Sequence, residues 1–310
     1  MSAQRKPLTF KRFKRILLQP VEYLFVRCLF FGVRMLPAGV VVWIGGVFGA
    51  AAFSWLRIRR RVAMKNLGLA FPDLSTGERV KIGCKAYANL GRSMMEILLL
   101  QKIDAQYIST HLRVEGDENL RRCLENGKGA LAVTGHFGSW ELMAAAFPKR
   151  GFPVSLLVGE QKNKQVDTLF NSLRTRHELE LIPLDMALRG ILRALKRNRL
   201  IALLGDQEAR HGAGIEITFF GRPTLTYPGV ALFAIKAGAP VLCPFIVRQG
   251  TGLDHLITME PHLEFTPSGD REEDIRILTQ LHSDRLEAWI RKYPDHWFWG
   301  HKRWKSQGIY

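Results

Sequence analysis

His136 and Glu141 lie five positions apart in the stretch Gly-Ala-Leu-Ala-Val-Thr-Gly-His-Phe-Gly-Ser-Trp-Glu, residues 129–141, and both side chains are of types that move protons. An imidazole with one ring nitrogen bonded to a carboxylate has a fixed tautomer and a second nitrogen free to take a proton near neutral pH. The flexible Phe137-Gly138 link allows the Glu141 carboxylate to turn back toward His136. The two therefore read as a general-base pair, with no serine or cysteine nucleophile beside them. Spacing alone does not decide for catalysis, because a glutamate in the first turn of a helix is favoured by the macrodipole whatever its chemistry.

For these groups to act, the chain must place them at an edge. Ala130 to Val133 is an apolar run of strand character that breaks at Gly135, and a helix is expected to begin near Ser139. His136 is thus expected at the exit of a strand, where open α/β sheets build their sites. Asp206-Gln207 follows another apolar run, Leu200 to Leu204, and is expected at the same sheet edge. From residue 150 onward strand-like runs at 153–158, 179–183, 200–204, 215–219, 241–247 and 255–259 alternate with helical segments at 164–177, 186–197 and 228–237. A charged helix over about 270–292 follows. That alternation predicts an α/β fold with a mostly parallel or mixed sheet flanked by helices.

Three further residues are candidates for a site. Asn163 and Arg174 lie on or near one helix, and Arg222 stands in Phe-Phe-Gly-Arg-Pro-Thr, which joins an apolar wall, a tight turn and a cation. Arg174 and Arg176, two apart, point in different directions, so only one enters a site. A solvated helix face and a plain turn are the ordinary alternatives for these groups.

The chain ahead of the sheet has another purpose. The chain of 310 residues carries 45 Lys and Arg against 28 Asp and Glu, a formal net charge of +17, while 47% of it is hydrophobic. Such a surface seeks acidic partners: an anionic membrane, an acidic protein or nucleic acid. Nucleic acid is disfavoured, since no reading helix, zinc finger or stacking-sheet signature is present. Residues 1–15 form a basic arm. Residues 16–61 form an expected membrane anchor, a single helix or a hairpin about Pro37, containing an uncharged run from Met35 to Leu56 that is long enough to span a bilayer core. Residues 62–310 are expected to form the one remaining domain. Cys28, Cys84, Cys123 and Cys243 show no paired spacing and read as reduced thiols. No metal is expected, no cofactor motif is present, and the Gly-x-Ser-x-Gly elbow of esterases is absent.

The wording His-Phe-Gly-Ser-Trp-Glu resembles the H-x4-D/E signature of glycerolipid acyltransferases, and in particular the late acyltransferases of lipid A biosynthesis. Arg61 with Asn66-Leu67 and Phe71-Pro72, Gly205-Asp206-Gln207, the block 219–224 and Trp299-Gly-His-Lys-Arg-Trp-Lys305 resemble further family blocks, in the family's order from about residue 57 onward. The block ending at Asn163 departs from the family pattern, lacking its Tyr and Pro. The resemblance implies catalysis by His136 and Glu141 without an acyl-enzyme, and substrate contacts from Asn163, Arg174, Asp206, Gln207 and Arg222. It implies an acyl–acyl carrier protein as donor, a hydroxyl of a phosphorylated glycolipid as acceptor, no cofactor, and a bacterial inner membrane location with residues 62–310, as the acyltransferase domain, facing the cytoplasm. Another glycolipid, an aminolipid or a lysophospholipid is the alternative acceptor. A non-enzymatic membrane-surface or nucleic-acid-binding protein is the alternative class.

Overall fold

The computed structural model describes the backbone of residues 10–310 and side chains from residue 18 onward. The side chains of the basic arm lie outside the described residues. Two helices open the chain, α1 (Phe10–Met35) and α2 (Ala38–Ser54), parted at Pro37, whose ring cannot continue a helix. Then come α3 (Arg60–Ala70), α4 (Thr76–Leu99), α5 (Ala105–His111), β1 (Leu112–Glu115) and α6 (Asp117–Glu125). The alternating section runs β2 (Ala130–Thr134), α7 (Trp140–Lys149), β3 (Val154–Val158), α8 (Lys164–Arg176), β4 (Glu180–Pro183), α9 (Ala187–Lys196) and β5 (Leu200–Leu204). A hairpin of β6 (Ile215–Phe219) and β7 (Arg222–Thr226) precedes α10 (Gly229–Ala237), β8 (Val241–Leu242), β9 (Pro244–Arg248), β10 (His255–Met259) and α11 (Arg271–Lys292).

The central sheet has five strands in the order β4-β3-β5-β2-β8, all parallel. A second sheet, β1-β10-β9, is mixed, with β1 parallel and β9 antiparallel to β10. The run expected as one strand at 241–247 is divided between the two sheets. Pro244 has no N–H to give to a ladder, and the chain changes sheets there. Both faces of the central sheet are covered, as a parallel sheet requires. Along β2, Leu131 and Val133 join one core cluster and Ala130 and Ala132 the other, following the two-residue period of a strand. The face bearing the alanines receives α7, whose Ala144, Ala145 and Ala146 are equally small and allow close approach. Outside this layer α7 meets α4 and α8 meets α1, while α9, α10 and α11 cover the opposite face.

The amino-terminal pair lies against this body. α2 presents Gly45, Gly46 and Gly49 to α4, and Gly91 of α4 faces back, so the two backbones come into contact. α1 is held by Phe30 on Phe170 at 5.9 Å and by the Gln101 amide, which donates to the Phe30 carbonyl at 3.0 Å. Among the described residues no helix is long and apolar enough to cross a membrane. α2, though uncharged, has 17 residues. That is about 25 Å of helix against a hydrocarbon core of about 30 Å.

A methyl group added at Gly91 would collide with the Gly45 carbonyl. Gly91→Ala is expected to force α2 off α4 and cost about 1–3 kcal/mol in urea unfolding. Gly77→Ala, whose added methyl meets nothing closer than Ser75 Oγ at 3.9 Å, is expected to be neutral or stabilising. Equal losses at both positions would contradict the close approach.

Candidate active site

β2 and β5 are adjacent parallel strands in register, Thr134 opposite Leu204. Their continuations depart to opposite faces of the sheet, β2 into α7 and β5 toward α10, which leaves a crevice beyond their carboxyl ends. His136 and Asp206 stand at that crevice, 70 positions apart in sequence. The ring Nδ1 of His136 is 2.8 Å from Asp206 Oδ1, and the backbone N–H of His136 donates to Oδ2 at 3.0 Å. The Trp297 indole N–H also donates to Oδ2, at 2.9 Å. Trp140 packs edge-on to the imidazole at 5.1 Å between ring centroids.

The partner of the imidazole is therefore Asp206 and not Glu141. The expectation that the 137–138 link turns Glu141 onto His136 is overturned, and the reason lies in the loop. Gly138 has φ +58° and its N–H donates to the His296 carbonyl at 2.8 Å. A Cβ there would strike the Ile246 carbonyl, so the tight path needs glycine and is fixed rather than flexible. From this turn Glu141 enters the first turn of α7 and meets Arg174 of α8 in a two-point ion pair, Nη2 to Oε1 at 2.5 Å and Nε to Oε2 at 3.1 Å. The Gly138 N–H, being spent on His296, is not free to bind an oxyanion.

The charges follow from this geometry. Burial would lower the His136 pKa, but the charge and hydrogen bond of Asp206, with a smaller push from Glu141, raise it above the ordinary imidazole value. Burial would raise the Asp206 pKa, but His136, through its charge and two hydrogen bonds, and then the Trp297 indole hold it far below the usual carboxylate range. Asp206 is thus ionised at any pH where the protein functions. Neutral His136 carries its proton on Nδ1, facing Asp206, and presents an unprotonated Nε2. Its side chain is 22% exposed against 3% for Asp206, so the site is open on the histidine side.

The other expected residues separate into groups. Asn163 caps α8, its Oδ1 accepting from Gln165 N at 3.2 Å, while its amide donates to the Gln19 carbonyl at 2.9 Å and to Glu22 at 3.1 Å on α1. It joins two helices and is 4% exposed. Gln207 is exposed beside Asp206. Arg222 is not brought to His136. It is exposed at the start of β7 and lines a separate groove of about 600 Å³ with Phe71, Pro72, Phe220 and Arg291. The aromatic wall of Phe219, Phe220, Trp297 and Trp299 stands between the groove and the crevice. Trp140 and Trp297 were not foreseen as site residues. Trp140 lies inside the motif itself, and Trp297 opens the aromatic block at the carboxyl-terminal end.

The chain matches the family described as "Bacterial lipid A biosynthesis acyltransferase" over residues 10–306. It belongs to that family. Among its relatives, the "Lipid A biosynthesis palmitoleoyltransferase" of Escherichia coli (strain K12) is 26% identical over 275 residues, 88% of each chain. The "Lipid A biosynthesis lauroyltransferase" of the same strain is 25% identical over 277 residues, 89% of this chain and 88% of the relative. The "Phosphatidylinositol mannoside acyltransferase" of Mycolicibacterium smegmatis (strain ATCC 700084 / mc(2)155) is 27% identical over 285 residues, 88% of each. No group of three or more metal-ligating side chains occurs among the described residues of this acyltransferase.

The Glu141–Arg174 pair is largely shielded, its side chains 11% and 19% exposed. Removing one partner strands the other. Arg174→Ala is expected to destabilise the protein by about 3 kcal/mol in urea unfolding, and adding Glu141→Gln to recover part of that loss. Strict additivity of the two substitutions would contradict the pairing.

Proposed function

We propose that this family member transfers a fatty acyl chain from an acyl carrier protein to a hydroxyl of a lipid A precursor, with His136 as general base. The observation that carries the reading is the His136–Asp206 pair at the crevice, with Nε2 unpartnered among the described residues. Nε2 takes the proton of the acceptor hydroxyl as its oxygen attacks the thioester carbonyl. The C–S bond then breaks as the oxyanion collapses, the proton passes from the imidazolium to the leaving thiolate, and no acyl-enzyme intervenes. The Asp206 carboxylate stabilises the imidazolium in between. Arg174 fixes Glu141 in the first turn of α7, close enough for its negative charge to add to that stabilisation without touching the base. The N–H groups of the first turn of α7, which no helix bond uses, are the donors available to the developing oxyanion.

The body is read as resting on a membrane through α1 and α2 lying in the plane of the interface. Leu24, Phe25 and Phe31 of α1, Trp43 and Phe48 of α2 and Trp55 just past it are exposed, large apolar side chains of the kind an interfacial helix buries among lipid. Arg57, Arg59 and Arg61, which follow in the chain, suit anionic headgroups. A location on the cytoplasmic side of a bacterial inner membrane gives such a protein both a soluble donor and a membrane-borne acceptor. A phosphatidylinositol mannoside remains the second acceptor to consider, because a relative of that name matches the chain to the same extent as the lipid A enzymes.

Purified protein, acyl carrier protein charged with labelled acyl chains, and vesicles containing either acceptor form the test, with mass spectrometry of the lipid product. Transfer to the lipid A precursor is expected, lost by at least about 10³-fold in His136→Ala. Neutral His136 is the active form, so kcat/KM rises with pH through a midpoint above the ordinary imidazole pKa of about 6.5. Asp206→Asn removes the charge that raises it, and the midpoint moves to lower pH while the maximal rate falls. Transfer to neither acceptor, or an undiminished His136→Ala, would sink the reading. Phe25→Glu with Phe48→Glu is expected to release the protein from the vesicles.

A further inference from the structure

The Asp206 carboxylate is fixed from a part of the chain that is remote in sequence. Residues 296–298 run beside the catalytic loop and bond it on both sides: the Gly138 N–H donates to the His296 carbonyl at 2.8 Å, and the Phe298 N–H donates to the His136 carbonyl at 3.0 Å. Between these two bonds Phe137 and Trp297 face each other as an isolated antiparallel bridge. The Trp297 indole N–H then reaches Asp206 Oδ2 at 2.9 Å. Apart from this indole, the hydrogen bonds that the structure gives the Asp206 carboxylate come from His136 itself. The backbone N–H and the indole N–H both hold Oδ2, which leaves Oδ1 for the ring, and the indole is the one donor that comes from outside the His136 loop.

The indole is itself immobile. Trp297 is 1% exposed, with Phe219 at 5.8 Å and Trp299 at 4.7 Å, both edge-on. Trp299 in turn donates its N–H to the Pro294 carbonyl at 2.7 Å. His296, the preceding residue of the strap, accepts the Arg248 backbone N–H on Nε2 at 3.1 Å and pairs through Nδ1 with Asp295 at 2.8 Å, so it too has one orientation. We propose that Trp297 is a positioning residue of the acyl-transfer site, its indole N–H setting the plane of the Asp206 carboxylate and through it the tautomer and direction of the His136 imidazole. The proposal rests on the general-base reading for its kinetic consequence, though not for its structural one.

Trp297→Phe keeps an aromatic ring and deletes the N–H. The groups facing His136 are otherwise unchanged: Asp206 after β5, Glu141 on α7 with its Arg174 partner on α8, and His301 from the carboxyl-terminal segment, with Arg303 facing Asp206. A carboxylate that has lost a donor accepts more strongly from its remaining partner, so the imidazole holds its second proton to higher pH. The experiment is a ¹⁵N NMR titration of the His136 ring, assigned by its loss in His136→Gln, in the wild type and Trp297→Phe, alongside steady-state acyl transfer. The expected result is a His136 midpoint displaced to higher pH, the rising limb of kcat/KM displaced with it, kcat lowered about tenfold and KM within about twofold. An unchanged midpoint and pH profile, with only the melting temperature lowered, would overturn the proposal and leave Trp297 as packing. Should Trp297→Phe not fold, a benzothienylalanine at 297, which replaces the N–H by sulfur at nearly the same shape, is read by the same criteria. A wild type without acyl transfer would count against the function, whereas the NMR titration decides Trp297 either way.

Discussion

A single buried carboxylate, Asp206, sets the orientation of the His136 imidazole, the group proposed as general base. Its contact with His136 exists because β2 and β5 are parallel neighbours in register, so that residues just past their ends meet although 70 positions separate them. The ion pair is only partly covered, and that matters. Full burial of both charges would cost more than their attraction returns, whereas here one partner is nearly sealed and the other faces the opening. The carboxylate can remain ionised while the imidazole stays open to exchange a proton on its exposed side.

A second layer of support connects the crevice with the helices read as membrane-facing. Glu141 is held by Arg174 near the end of α8, and Asn163 at the start of α8 is held on α1. The Phe30–Phe170 contact adds an apolar attachment between the same two helices. α8 is thus held at one end by α1 and at the other by Glu141. The strap of residues 296–298 ties the loop that carries His136 to a fully buried group of tryptophans.

Much of this was legible in the sequence, and the parts that were not have physical reasons. The period of apolar residues located nearly every element of the alternating section, because a strand covered on both faces must be an unbroken apolar run and its flanking helices must carry an apolar stripe. His136 and Asp206 could be assigned to one sheet edge for the same reason. Which carboxylate meets the imidazole could not be read. Glu141 is near in sequence, but the direction of its side chain is decided by the αL turn at Gly138 and by an arginine on another helix, both tertiary facts. Asn163 looked like a site residue because it is what its block keeps of the family pattern, yet its amide is consumed by a helix cap and by α1. Arg222, equally conspicuous in its motif, lies across an aromatic wall from the crevice. Trp297 carried no chemical signal at all, since an indole in an aromatic-rich segment ordinarily signifies packing.

The central claim is that Asp206, and not Glu141, binds Nδ1 of the His136 imidazole, the proposed general base. Long-range ¹H–¹⁵N correlation spectra of the His136 ring, recorded above its titration midpoint, test it most directly. The structure predicts the tautomer with the proton on Nδ1 and a pyridine-type Nε2, retained in Glu141→Gln and lost in Asp206→Asn. A proton found on Nε2 in the wild type, or a tautomer that depends on Glu141 and ignores Asp206, would contradict it.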